Sequence, residues 1–155
     1  MKEALLVIDM QKMFYKGKTK IFMDNACEKI NTEISSFRKK GNPVIWIYHT
    51  WKFGKLKKGN LEYEFIDLLQ KDPNVICIEK TYPNSFRKTE LKKILDNQKI
   101  DSLKLCGYKA EACVLFTYFG AKKFEYIVSI IKNGVASNSK LGIEIGKLFY
   151  GSSII

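Results

Sequence analysis

The sequence predicts an α/β protein. It reads as one three-layer α/β/α, Rossmann-like domain over residues 1–155, with a mostly parallel sheet of about six strands. Three observations lead there. Short continuous apolar runs recur along the chain, each bounded by polar residues, as strands buried on both faces of a parallel sheet require. Segments with apolar residues at helical spacing separate those runs, giving an alternating β-α order. The 155 residues carry no internal repeat, low-complexity tract or Pro/Gly/Ser linker, and the length suits one substantial core.

The first strand is residues 4–8, A-L-L-V-I, and it ends in Asp9. Residues 15–23 read as a basic loop containing Gly17. Asn25 with Glu28 three residues later resembles a capping box. Ala26, Ile30, Ile34 and Phe37 then follow at helical spacing until Gly41 and Pro43 stop the helix. Residues 44–48, V-I-W-I-Y, form the second strand, with His49 at its end. Residues 51–60 are a basic, glycine-containing loop with Trp51 and Phe53. Aromatics among lysines could stack on bases, but a loop after a strand end suits a small-molecule pocket better. A short helix with Leu61, Phe65, Leu68 and Leu69 follows, closed by Asp72-Pro73.

Residues 75–78, V-I-C-I, are the third strand, followed by Glu79 and Lys80. Arg87 or Thr89 begins a helix through Leu91, Ile94 and Leu95. Residues 101–106 form the fourth strand. Residues 107–114, G-Y-K-A-E-A-C-V, then make a tight turn and the first turn of a helix that runs on to Phe119. Residues 126–131 are the fifth strand, and Asn133-Gly134 turns the chain. Leu141, Ile145, Leu148 and Phe149 mark the last helix, with a short final strand expected at residues 151–155.

Composition narrows the function. No apolar run approaches the ~20 residues of a membrane helix. The first residues lead straight into a strand with no small-residue cleavage site, which reads as no signal peptide. Cys27, Cys77, Cys106 and Cys113 show neither a C-x-x-C pair nor zinc-site spacing, so free thiols in a reducing cytoplasm are expected, and no metal. The net charge of +11, from 27 basic and 16 acidic residues, raises nucleic-acid or membrane-surface binding. The lysines are scattered through loops and helix faces, as solvated charges are.

Chemistry gathers at strand ends. Asp9, Lys80 and Cys113 each fall at or just past the C-terminal end of a strand, and in an open parallel sheet those ends share one edge. A thiol near a helix start sits by unpaired N–H groups and the positive end of the helix dipole, both of which favour the nucleophilic thiolate. Lys80 beside it would add to that effect. Asp9 can take the thiol proton and return it to a leaving amine. His49, the only histidine, reads as a hydrogen-bonded wall residue.

Three separated motifs resemble the isochorismatase-like cysteine hydrolases. D-x-Q-x-x-F is Asp9, Gln11 and Phe14. K-x-x-x-[SN]-[AS]-F is Lys80, Asn84, Ser85 and Phe86. G-x-x-x-[DEN]-x-C-V is Gly107, Glu111, Cys113 and Val114. The resemblance covers nearly the whole chain. It implies a catalytic set of Asp9, Lys80 and Cys113 and a cis peptide at Tyr108–Lys109. It also implies an oxyanion hole from the backbone N–H groups of Lys109 and Cys113, and a homo-oligomer. The pocket would be walled by Phe14, Tyr48, Trp51, Tyr82, Phe86 and Tyr108.

Departures from the family pattern matter too. Family nicotinamidases bind a metal through an Asp and histidines after the second strand, where this chain has Tyr48, His49, Thr50 and Trp51. One histidine without the Asp cannot reproduce that site. Cys113 likewise argues against vinyl-ether cleavage of isochorismate, which belongs to members with a different nucleophile position. The reading is therefore a cofactor-free cysteine hydrolase of a small amide-type substrate, passing through a Cys113 thioester. The alternatives are a nucleic-acid-binding or oligomeric scaffold protein on the same fold with an idle site.

Overall fold

A computed structural model describes residues 1–72 and 75–155. Five strands form one all-parallel sheet: β1 (Glu3–Ile8), β2 (Val44–His49), β3 (Ile76–Lys80), β4 (Ser102–Tyr108) and β5 (Ile127–Ala136), in the order β3-β2-β1-β4-β5. Helices α1 (Gly17–Lys39), α2 (Leu91–Asn97), α3 (Leu115–Lys123) and α4 (Lys140–Tyr150) surround it. The chain winds outward from β1 to β3, then crosses back to place β4 on the other side of β1. That reversal makes the β1/β4 edge the switch point, where an open α/β sheet leaves a crevice.

Strand alternation builds two cores. On β1, Ala4, Leu6 and Ile8 face one side and Leu5 and Val7 the other, all fully buried. The first side packs on Leu91 and Leu95 of α2 and on Leu115, Tyr118 and Ala121 of α3. The second packs on Met23, Ala26, Ile30, Ile34 and Phe37 of α1. Double burial explains why β1 reads as an unbroken apolar run. Where β4 meets β1, Gly107 adopts φ +116° and a Cβ there would overlap the Ile8 carbonyl oxygen, so the close approach requires glycine.

Several boundaries differ from expectation. α1 starts at Gly17, so the expected basic loop is its first two turns and Asn25 lies exposed within it. Buried Thr19 and Met23 extend the apolar stripe backward, and tertiary burial outweighs the missing cap. The expected helix over residues 61–69 is a 3-10 turn (Leu61–Tyr63) followed by irregular chain whose Phe65 bridges Gln11. Pro73 lies outside the described residues. Asn133-Gly134 does not end β5. It sits in an irregularity, with Leu105 opposite Ile130 and Gly107 opposite Val135, and the strand resumes to Ala136. Residues 151–155 give a 3-10 turn (Gly151–Ser153) and a single bridge from Ile154 to Ile130, so the sheet has five strands among the described residues. No described helix is long and apolar enough to cross a membrane.

Candidate active site

Asp9 follows β1 in the left-handed region (φ +50°), a conformation that Asp tolerates better than most residues. Its N–H donates to the Ile47 carbonyl at 2.9 Å, tying the strand end to β2. Asp9 and Lys80 are both buried, and Lys80 Nζ donates to Asp9 Oδ2 at 2.7 Å. The same ammonium lies 2.9 Å from His49 Nδ1. The other Asp9 oxygen, Oδ1, is buried with no hydrogen-bond partner among the described residues.

Cys113 enters from the other side of the switch point. β4 ends at Tyr108, the Tyr108–Lys109 peptide is cis as the resemblance implied, and a π-helical turn (Ala110–Val114) carries Cys113 into α3. The Val114 N–H donates to the Lys109 carbonyl at 3.2 Å, the longer step of a π turn, a feature frequent at functional sites. The turn is braced by Tyr150 of α4, by Ser137 just before that helix and by Lys109. Glu111 accepts from Ser137 Oγ at 2.9 Å and pairs with Lys109 Nζ at 2.9 Å, while Tyr150 OH donates to the Ala110 carbonyl. Donor atoms of Asp9, His49 and Cys113 all lie within 4.8 Å of one another.

At the sulfur, burial and Lys80 act in opposite directions. Burial pushes the Cys113 thiol up to about 12, the Asp9 charge pushes the same way, and Lys80 opposes both. Desolvation disfavours the charged form of the sulfur more than one lysine favours it. His49 is held below its ordinary value, first by burial and then by the Lys80 charge, against the pull of Asp9.

A metal of the kind family nicotinamidases bind does not fit here. The single histidine spends Nδ1 on Lys80, and a fixed ammonium stands 2.7 and 2.9 Å from donor atoms of Asp9 and His49. A cation in the Asp9–His49–Cys113 cluster would meet that charge directly.

The expected pocket wall divides. Phe14 stacks on Tyr108 at 5.0 Å, joining the chain after β1 to the end of β4. Trp51 is 44% exposed and meets His49 edge-on at 6.2 Å. Tyr82 is half-buried beneath the Arg87 guanidinium, 4.0 Å from its ring centre. Tyr48 is a core residue instead, stacked on Tyr63 at 4.7 Å, because strand alternation turns it to the opposite face from His49. Phe86 is also core, packed on Phe124 and Tyr126. A groove of about 550 Å³ between α1, β5 and α4 is lined by none of Asp9, Lys80 or Cys113.

Two residues gain specific partners: Gln11, which sequence reasoning placed in a motif without a role, and His49, which it reads as a hydrogen-bonded wall residue. Gln11 donates to the carbonyls of His49 (3.0 Å) and Tyr63 (2.8 Å) and accepts from the His49 N–H (2.8 Å), stitching the β2 end in place. Its signal was its place just past an apolar strand, where an amide must find hydrogen-bond partners if it is buried. His49 contacts Lys80, and its signal was its place at the end of β2, the strand beside the one that ends in Lys80.

An all-parallel α/β sheet with a carboxylate, a lysine and a cysteine gathered at its switch point defines an isochorismatase-like α/β domain. The isochorismatase domain model matches residues 3–144, and the chain belongs to the isochorismatase-like hydrolase family. It is 26% identical over 147 residues to YddQ of Bacillus subtilis, an uncharacterized isochorismatase family protein, covering 90% of this chain and 80% of that one. N-carbamoylsarcosine amidase from Thermoplasma acidophilum superposes with a TM-score of 0.83 at 24% identity, over 99% of this chain and 93% of that one. The nicotinamidase from Staphylococcus aureus gives 0.82 at 24%, over 97% and 93%. The last two likenesses are of fold.

Proposed function

We propose that the protein is a cysteine hydrolase cleaving the C–N bond of a small amide-type substrate, with Asp9, Lys80 and Cys113 as its catalytic residues. One observation carries this reading: Lys80 anchors one oxygen of a buried carboxylate whose other oxygen has no partner among the described residues, and a carboxylate oxygen of Asp9 lies within 4.8 Å of the Cys113 sulfur. Asp9 takes the thiol proton as the sulfur attacks the carbonyl carbon, which solves the problem of a thiol too weakly acidic to ionise alone. Lys80 offsets the charge on the forming thiolate. The backbone N–H groups of Lys109 and Cys113 receive the oxyanion. Asp9 then returns the proton to the leaving nitrogen as the C–N bond breaks and a thioester remains. Water adds to the thioester, giving its proton to Asp9. The C–S bond breaks, the acid departs and the thiol is restored.

The fold likeness to two amidases supports the amide class. The basic surface lends less to a polyanion reading, since Lys12, Lys55, Lys71, Lys92, Lys93 and Lys147 each pair with an acid within 3.3 Å. The test is ammonia release from a panel of small primary amides by wild type and Cys113→Ala. Loss of turnover with an unchanged circular-dichroism spectrum is expected. Turnover by the variant at the wild-type rate overturns the proposal. Self-association belongs to the same proposal, supported by exposed Phe116, Phe119, Leu148 and Phe149 on α3 and α4. Light scattering reads it, and a monomer at micromolar concentration removes it.

A further inference from the structure

His49 is the only histidine in the chain. It ends β2, in register with Lys80 on β3. Gln11 holds both its N–H and its carbonyl, so the root of the ring is fixed. Lys80 Nζ stands 2.9 Å from Nδ1. An ammonium has three donors and no lone pair. Nδ1 is therefore the unprotonated acceptor, and Nε2 carries the ring proton. Asp9 Oδ2 takes a second ammonium proton at 2.7 Å. Two of the three Lys80 donors are thus committed, which fixes the direction of the third.

We propose that His49 is a positioning residue: a neutral imidazole that accepts from Lys80 through Nδ1, holds the ammonium against Asp9, and so aims its remaining proton at the Cys113 sulfur as the thiolate forms. The inference rests on the reading of Asp9, Lys80 and Cys113 as a reacting set. It also makes the site sensitive to acid. A protonated ring would turn Nδ1 into a donor and set a second cation against Lys80. Among the described residues, the titratable groups around the ring are Lys80, Asp9 and Cys113. Burial and Lys80 resist that protonation while Asp9 favours it, so the ring stays neutral to below its ordinary value of 6.5.

With one histidine, a long-range ¹H–¹⁵N correlation spectrum reports the ring without assignment. The expected result is a single Nε2–H tautomer at neutral pH with a titration midpoint below 6.5. Lys80→Met should raise that midpoint and mix the tautomers. The second measurement is the rate of Cys113 alkylation by iodoacetamide at pH 8, followed by mass spectrometry. His49→Leu removes the acceptor and should slow it about tenfold, the effect of one unit in the thiol pKa. His49→Asn places an amide oxygen near the position of Nδ1 and should restore most of the rate, which a merely space-filling role would not predict. An Nδ1–H tautomer, a midpoint indifferent to Lys80→Met, or equal slowing by Leu and Asn overturns the inference. Each leaves the Cys113→Ala turnover result untouched, whereas wild-type turnover by Cys113→Ala defeats the reacting set without altering the spectrum.

Discussion

Two carboxylate–lysine pairs flank Cys113, and they are built alike. Asp9 pairs with Lys80 at 2.7 Å and Glu111 with Lys109 at 2.9 Å. Each carboxylate keeps one buried oxygen without a partner among the described residues. They differ in burial and in what surrounds the carboxylate. The Asp9–Lys80 side chains are 1% and 0% exposed, and the thiol and imidazole stand beside them. The Glu111–Lys109 side chains are 16% and 30% exposed, and Glu111 faces Ser137 and Gly142 at the start of α4. An orphan oxygen is a costly group in either place. Beside a nucleophile a carboxylate is a proton acceptor in waiting, while beside a helix start it braces a loop through its paired oxygen. Chemistry follows from the neighbours of the pair and not from the pair itself.

The largest contrast should appear in turnover. Asp9→Asn keeps the shape but removes the proton acceptor, so amide hydrolysis should fall by about 10²–10⁴-fold. Glu111→Gln should leave turnover within about threefold, because Glu111 acts through the position of the turn, well inside the effect of a lost acid–base group. Steady-state rates of the two variants check this. Equal losses would erase the distinction between reacting and bracing pairs.

Stability separates the two lysines next. Lys80→Met strands a buried carboxylate, a change that costs about 3–5 kcal/mol unless Asp9 takes a proton. Lys109→Met breaks a partly exposed pair worth about 0–1 kcal/mol. Urea unfolding at pH 7 reads both. A Lys80→Met loss as small as that of Lys109→Met would mean that the Asp9 pair is solvated after all.

Gly142→Ala sharpens the bracing half. A Cβ at Gly142 would overlap Glu111 Oε1 and Ser137 Oγ, pushing α4 off the π turn. A loss of about 1–3 kcal/mol is expected from such overpacking, measured by the same unfolding curves. Space for the methyl group would show that α4 does not brace the turn.

Much of this was legible in the sequence, for physical reasons. β1 and β2 announced themselves because burial on both faces leaves no polar interruption. Asp9, Lys80 and Cys113 could be placed at one edge because parallel strands share their carboxyl ends. α1 was misplaced at its start because its lysines read as loop, while Thr19 and Met23, which carry the stripe backward, become informative only once the sheet they cover is known. Tyr48 and Phe86 were assigned to a wall that alternation and the α2 side of the core deny them. The balance of effects on the thiol lies beyond the sequence for a similar reason. The sequence shows a nearby lysine, but desolvation depends on everything packed around the sulfur, and burial is the largest influence there. The partnership of His49 with Lys80 depends on β2–β3 register, which no local pattern reveals.

The smallest expected effect is also the cleanest probe of the comparison. With its pKa pushed up to about 12, Cys113 exposes little thiolate at neutral pH, and its alkylation should rise about tenfold per pH unit from 7 to 10 without a plateau. Exposed Cys77 supplies an internal reference in the same mass spectrum. Asp9 is among the causes that raise Cys113, so Asp9→Asn should speed alkylation severalfold at pH 8 even as it removes turnover. Glu111 is not among them, and Glu111→Gln should leave the rate unchanged. Opposite signs for reactivity and turnover in Asp9→Asn would separate two roles of one carboxylate, a charge that suppresses the thiolate and a base that creates it on demand. If Asp9→Asn slowed alkylation instead, Asp9 would be activating the thiol in the resting enzyme, and the resting group would have to be the thiolate.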